Sequence, residues 1–65
     1  MEQFQKVRLL TDKYFEKNGI RKGDLGFTLE DYNDGNFEVE FSNSTNGYTK
    51  ALFAIPGNEL EVVEI

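Results

Sequence analysis

Five carboxylates crowd the middle of this 65-residue chain: Glu30, Asp31, Asp34, Glu38 and Glu40. A pair of carboxylates can do acid–base work, and Glu30 with Glu38 is the obvious pair. Such a pair needs a pocket that shifts one pKa and a site that holds substrate. A domain this small fills its interior with its own side chains, so no catalytic residue is expected. Asp31, Asp34 and Glu40 carry oxygen ligands suited to a hard cation, but the spacing of an EF-hand loop is absent. The chain has no cysteine and no histidine, which removes thiolate sites, the commonest general base and the commonest metal ligand. No metal and no cofactor are expected. Gly19, Gly23, Gly26, Gly47 and Gly57 form no phosphate-binding pattern, and turns account for them.

An interaction surface remains. Tyr32, Tyr48 and Leu52 are expected to lie outside the core beside Glu30, Glu38 and Glu40. Aromatic side chains beside uncompensated charge make a protein-binding patch. The competing reading is that some of these residues cover one end of the domain.

Residues 23–41, GDLGFTLEDYNDGNFEVEF, must position these side chains. Leu25, Phe27 and Leu29 alternate with Thr28 and Glu30. After Asn33-Asp34-Gly35 come Phe37, Val39 and Phe41, alternating with Glu38 and Glu40. That is two half-buried strands around a turn. A two-residue loop at Asp34-Gly35 would set Leu29 beside Glu40. A three-residue loop at Asn33-Asp34-Gly35 sets Leu29 opposite Val39 and Phe27 opposite Phe41, which keeps one face apolar. It also places Gly35 at the left-handed position of a type I turn with a G1 bulge. This register puts Glu30 opposite Glu38, with Asp31 and Glu40 nearby. Opposed like charges destabilise by up to ~1 kcal/mol, so either a cation relieves them or the ridge exists for a partner.

The rest of the chain supplies three more strands. Residues 4–10 form the first, with Val7 and Leu9 inward; Phe4 falls on the polar parity, so either the strand starts at Gln5 or it carries an irregularity near its beginning. Residues 11–22 are a long excursion. Asp12 capping one helical turn that ends at Asn18-Gly19 is one reading, and a wandering loop is the other. Tyr14, Phe15 and Ile20 are expected to fold back over the domain's mouth. Residues 42–47, SNSTNG, read as a polar turn. In the fourth strand, residues 48–55, the same parity pairs Phe41 with Thr49, Val39 with Ala51 and Phe37 with Phe53. Lys50 then faces Glu40 as the ridge's counter-ion, with Tyr48 and Leu52 outside. Pro56-Gly57-Asn58-Glu59 reads as a short 3-10 turn. Residues 60–65 form the last strand, with Leu60 and Val62 inward. Five short strands, one long first loop and tight later turns give an all-β fold, a small, strongly bent sheet closed into a barrel.

Seven basic residues against twelve acidic ones leave a net charge of −5. That surface repels phosphate backbones, so nucleic acid is not the expected ligand, and it suits solubility or a basic partner. The cations Lys13, Lys17, Arg21 and Lys22 gather in the first loop, where they read as a solvated balance to an acidic body. Six Phe and three Tyr supply an aromatic-rich core. No apolar run approaches the ~20 residues of a membrane span, and residues 1–10 lack a signal-peptide core, so a cytoplasmic protein is expected.

Ile20-Arg21-Lys22-Gly23-Asp24 before a hydrophobic strand resembles the second-strand entry of SH3-like barrels. Pro56-Gly57-Asn58-Glu59-Leu60 resembles their closing 3-10 turn. Over nearly its whole length the chain is similar to a group of small stand-alone bacterial proteins of unknown function. The matching positions are Val7, Leu9 and Asp12; Gly19-Ile20, Gly23-Asp24 and Gly26; Tyr32, Asp34-Gly35 and Phe37 to Phe41; and Ala51-Leu52. The resemblance implies a five-stranded SH3-like barrel. It does not carry proline-rich peptide recognition, because the ALYDY-like aromatic run and the tryptophan pair are missing. The chain also resembles KOW-type barrels, which contact RNA or ribosomes and usually carry basic surfaces.

The expected function is a non-catalytic protein-binding module docking a basic partner through Glu30, Tyr32, Glu38, Glu40, Tyr48 and Leu52. Its concrete form is a small acidic immunity or inhibitor protein, whose carboxylates mimic phosphate toward a toxin nuclease and steer its approach. The alternatives are an RNA- or ribosome-associated barrel using residues 13–22, and a structural domain without a ligand of its own, including a homo-oligomer.

Overall fold

The computed structural model describes residues 4–42 and 49–63. The chain runs through β1 (Lys6–Leu9), a one-turn helix α1 (Phe15–Asn18), β2 (Leu25–Asp31), β3 (Asn36–Ser42), β4 (Thr49–Pro56), a 3-10 turn at Gly57–Glu59 and β5 (Leu60–Val62). The strands form one antiparallel sheet in the order β4-β3-β2-β1-β5. Five strands and a 3-10 turn before the last are as expected. Closure into a barrel is not: the sheet stays open, with β4 and β5 as its edges.

β3 follows its alternation. Phe37, Val39 and Phe41 are buried and Glu38 and Glu40 lie on the other face. Val7, Leu9, Ile20, Ala51, Ile55 and Leu60 complete the core, with Tyr14 and Phe53 packed against it. The hairpin turn also forms as the sequence requires. Tyr32 N–H donates to the Asn36 carbonyl at 3.1 Å, and Asn33 and Gly35 adopt φ of 63° and 93°. Asp31 and Asp34 each accept a backbone N–H two residues on, from Asn33 at 2.8 Å and Asn36 at 3.0 Å.

β2 overturns its expected parity. Near the turn Asp31 pairs with Phe37 and Glu30 with Glu38, as the three-residue loop requires, but the register then shifts and Thr28, not Leu29, faces Val39. Phe27 therefore pairs with Glu40 rather than Phe41. Gly26 and Thr28 are buried while Leu25 and Phe27 are 43% and 47% exposed. The cause is space. The Phe41 ring lies over Gly26, where any side chain would collide with it. Leu29 is the extra residue of the bulge, half-buried. Thr28 is tolerated inside because its hydroxyl is bonded: Gln5 N–H donates to its Oγ1 at 2.9 Å, and Oγ1 lies 3.4 Å from the Gln5 carbonyl it donates to. The irregular start of β1 belongs to the same arrangement. Phe4 has φ of 61°, and its N–H donates to the Thr28 carbonyl.

β4 keeps its parity but slides by two residues. Phe41 pairs with Ala51, Val39 with Phe53 and Phe37 with Ile55. A register shift between Phe41 and Ser42 accompanies the slide. Lys50 consequently does not face Glu40, whose partner across the ladder is Leu52; Lys50 instead reaches Asp24, 3.4 Å away. In β5 Leu60 is buried as expected, but Val62 is exposed where the narrow edge strand ends. Tyr48, Gly47 and residues 64–65 lie outside the described residues.

Of the two readings of the first loop the structure has the single helical turn, ended by Gly19 at φ 73° with its N–H on the Phe15 carbonyl. Asp12 does not cap it with its side chain, which accepts the Lys22 N–H at 2.8 Å and so cinches the loop's two ends. Ile20 is buried and Tyr14 meets Phe53 edge-on with centroids 4.9 Å apart, while Phe15 stays exposed. Glu59 in the 3-10 turn accepts hydrogen bonds from Lys13 Nζ and Tyr14 OH, clamping the loop to the closing turn. Partial burial pushes the Glu59 carboxyl up, but these two hydrogen bonds and the Lys13 charge outweigh it and hold the group below its ordinary value. No helix among the described residues is long and apolar enough to cross a membrane.

Two outcomes follow. In Gly26→Ala the new Cβ would lie 2.7 Å from the Glu40 carbonyl oxygen and 2.9 Å from Phe41 Cδ1. The backbone cannot yield, so equilibrium urea unfolding should show a loss of about 1–3 kcal/mol; an unchanged midpoint would contradict the packing. The depressed Glu59 carboxyl stabilises the fold above its ordinary pKa, and that contribution is lost as pH falls through the folded-state value. Glu59→Gln should therefore lower stability at neutral pH and flatten its acid decline, read from unfolding curves across the acidic range. A variant with the parent's full acid decline would exclude Glu59 as a source of it.

Candidate functional site

Residues directly paired across an antiparallel ladder share a face. On the face opposite the core, one row runs Leu52–Glu40–Phe27–Lys6 across β4, β3, β2 and β1. Beside it runs Ala54–Glu38–Glu30, and on its other side Leu25–Arg8–Glu61. Alternation on β3 aims Glu38 and Glu40 outward, and the bulge in β2 brings Phe27 and Glu30 to the same side. Leu25, Phe27 and Leu52, the last 49% exposed, thus interleave with three carboxylates.

The local chemistry is uneven. Tyr32, exposed at the hairpin turn, donates its hydroxyl to Glu38 Oε2 at 2.7 Å. Losing that bond, together with desolvation and the charges of Glu38, Glu30 and Asp34, disfavours the phenolate and pushes the phenol up to about 12. Glu40 Oε2 accepts the Thr49 hydroxyl at 2.8 Å. Glu30 makes no hydrogen bond or ion pair among the described residues and stands opposite Glu38. Of the neighbouring cations, Arg8 is committed to Glu61 at 2.8 Å and Lys50 to Asp24, and Lys6, in the row beyond Phe27, makes no ion pair among the described residues. The ridge therefore lacks the counter-ion its sequence suggested.

The structure gathers Glu30, Tyr32, Glu38, Glu40 and Leu52 on or beside one face, and Tyr48 lies outside the described residues. Leu25 and Phe27 belong to that face although their alternation assigned them to the core. The available signal was Gly26, since an isolated glycine within a strand marks a close backbone approach or a bulge. Away from this face, Asp12, Lys13, Phe15, Glu16 and Arg21 line an open depression of about 460 Å³. There the Arg21 guanidinium lies over the Phe15 ring, 4.5 Å from its centroid, and Lys13 is held by Glu59. No group of three or more potential metal ligands occurs among the described residues.

Because Glu38 is the main cause of the raised Tyr32 phenol, Glu38→Gln should move that titration down toward the ordinary tyrosine value of 10.0. Residue-resolved NMR of the Tyr32 ring would follow it. A titration still near 12 in the variant would mean that another group controls the phenol.

No curated protein and no solved structure matches the chain. The family model described as "Domain of unknown function (DUF4926)" matches residues 4–62, a span that takes in all five strands and the first loop. The chain belongs to this family of unknown function.

Proposed function

We propose that this chain is a non-catalytic protein-binding module, an open five-stranded sheet of SH3-like strand order, that docks a basic protein on its outer sheet face. The carrying observation is the row Leu52–Glu40–Phe27, exposed apolar surface interleaved with carboxylate. Covering Leu25, Phe27 and Leu52 removes apolar surface from water and so favours association. Glu30, Glu38 and Glu40 select and steer a cationic partner. Opposed Glu30 and Glu38 repel each other in the free protein, and a cation from a partner relieves that repulsion. The strand order and the 3-10 turn before the last strand support the SH3-like assignment.

In its sharpest form the module is an inhibitor or immunity protein. Glu38 and Glu40, about 7 Å apart along one strand, present a line of negative charge to a nuclease surface that normally meets phosphates. Co-purification from the native host identifies the partner. The double variant Glu38→Lys, Glu40→Lys, altered only on the outer face, should remain folded and bind that partner at least ~10-fold more weakly. Undiminished binding by the folded double variant would exclude this face. Native protein that captures no basic partner would count against the whole reading.

A further inference from the structure

β4 is the longer of the sheet's two edges. Its ladder to β3 runs from Thr49 to Pro56, and among the described residues no backbone hydrogen bond reaches its other side. Natural edge strands are blunted by brevity, charge, proline or bulges, because free N–H and C=O groups along an edge template another strand. β5 has brevity, at three residues, and Glu61. β4 has Lys50 and Pro56, but only near its ends; Ala51-Leu52-Phe53-Ala54-Ile55 between them carries no charge and no proline.

We propose that this edge pairs with the β4 edge of a second copy, antiparallel about a two-fold axis at Phe53. The run is self-complementary. With Phe53 on the axis, Leu52 of one copy stands opposite Ala54 of the other, and Ala51 opposite Ile55. Lys50 falls opposite Pro56, at the margin, so no like charges meet. Moving the axis toward Thr49 would bring the two Lys50 side chains together, and moving it toward Pro56 would place residues without a donor at the centre. Pairing through the edge leaves both sheet faces uncovered, so the row Leu52–Glu40–Phe27 remains open in each copy, and the inference stands apart from the docking of a basic protein. The interface is small, and a net charge of −5 on each copy opposes it. Dimerisation must therefore strengthen as salt screens that repulsion, whereas docking of a basic partner must weaken.

Sedimentation equilibrium of the full chain, from ~10 μM to ~2 mM at low and high salt, tests this over the range expected for a small interface. The expected result is a monomer–dimer equilibrium that tightens with salt. A monomer throughout, or a dimer that weakens with salt, overturns the proposal. Ala54→Lys places an ammonium beside Glu38 within the monomer but puts two ammonium groups diagonally across the axis, and should weaken the dimer at least ~10-fold. Phe27→Ala, on the face at β2, should leave the dimer unchanged. Loss with Phe27→Ala and none with Ala54→Lys would move the contact to the sheet face and overturn edge pairing. Hydrogen exchange on the unaltered protein gives a readout free of substitutions: amides of residues 51–55 should gain protection as concentration rises, and unchanged exchange in a dimeric sample overturns the proposal.

Discussion

The Phe41 ring lies against the backbone of Gly26, and this contact decides which side of β2 faces the interior. Two demands meet in that strand. The turn at Asn33-Asp34-Gly35, with Tyr32 bonded to Asn36, imposes a register that would carry Leu29 opposite Val39. Packing of Phe41 requires a residue without a side chain opposite it, which imposes Gly26 inward and with it Thr28. The two registers differ by one residue, and a one-residue difference exchanges the faces of a strand. The bulge at Leu29 reconciles them: Glu30 and Asp31 obey the turn, Phe27 and Thr28 obey the core. Thr28 then brings a hydroxyl into the interior, and Gln5 supplies its partner from the end of β1. The irregular start of β1 and the bulge of β2 are thus one accommodation seen on two neighbouring strands.

The same accommodation makes the outer face. Phe27 and Leu25 lie among carboxylates because the interior already holds Phe37 and Phe41, with Phe53 packed against them. A chain of this size buries only ~60% of the surface it exposes when unfolded, so leaving two large apolar side chains half in water is a real loss of stability. Opposing Glu30 to Glu38 with no cation paired to either among the described residues is a second loss, small and additive with the first. Two unfavourable features that share one patch are what an interface would relieve, and the depression beside Phe15 has no such pair.

How much of this could be read from the sequence follows from the range of the interactions involved. β3 was legible because its alternation is clean and both its neighbours pair with it along its length. The hairpin turn was legible because glycine and asparagine report local backbone geometry, whereas the one-turn helix before Gly19 stood level with an irregular loop. Glu30, Glu38, Glu40 and Leu52 were placed outward by strand alternation. β2 misled because alternation gives parity but not its sign. The sign was set by the volume of Phe41 from another strand, and Gly26 was its only local trace. The β4 register depended on how many residues the connection through residues 43–48 consumes, which composition does not report. Once β4 slid by two residues, Lys50 lost Glu40 and found Asp24.

An open sheet has to finish its core some other way than by closure. Here the first loop does it. Ile20 enters the core, Tyr14 packs edge-on against Phe53, and Glu59 ties Lys13 and Tyr14 to the turn that precedes β5. The loop's polar contacts therefore act through an apolar consequence: they hold Tyr14 and Ile20 where a further strand would otherwise be needed to exclude water. That also explains the division of charge along the chain. In the first loop Lys13 is held by Glu59 and Arg21 lies over Phe15, whereas the carboxylates of β2 and β3 face outward with few internal partners. Lys13 thus serves the domain's own closure, and the carboxylates of the sheet are left to face whatever approaches it.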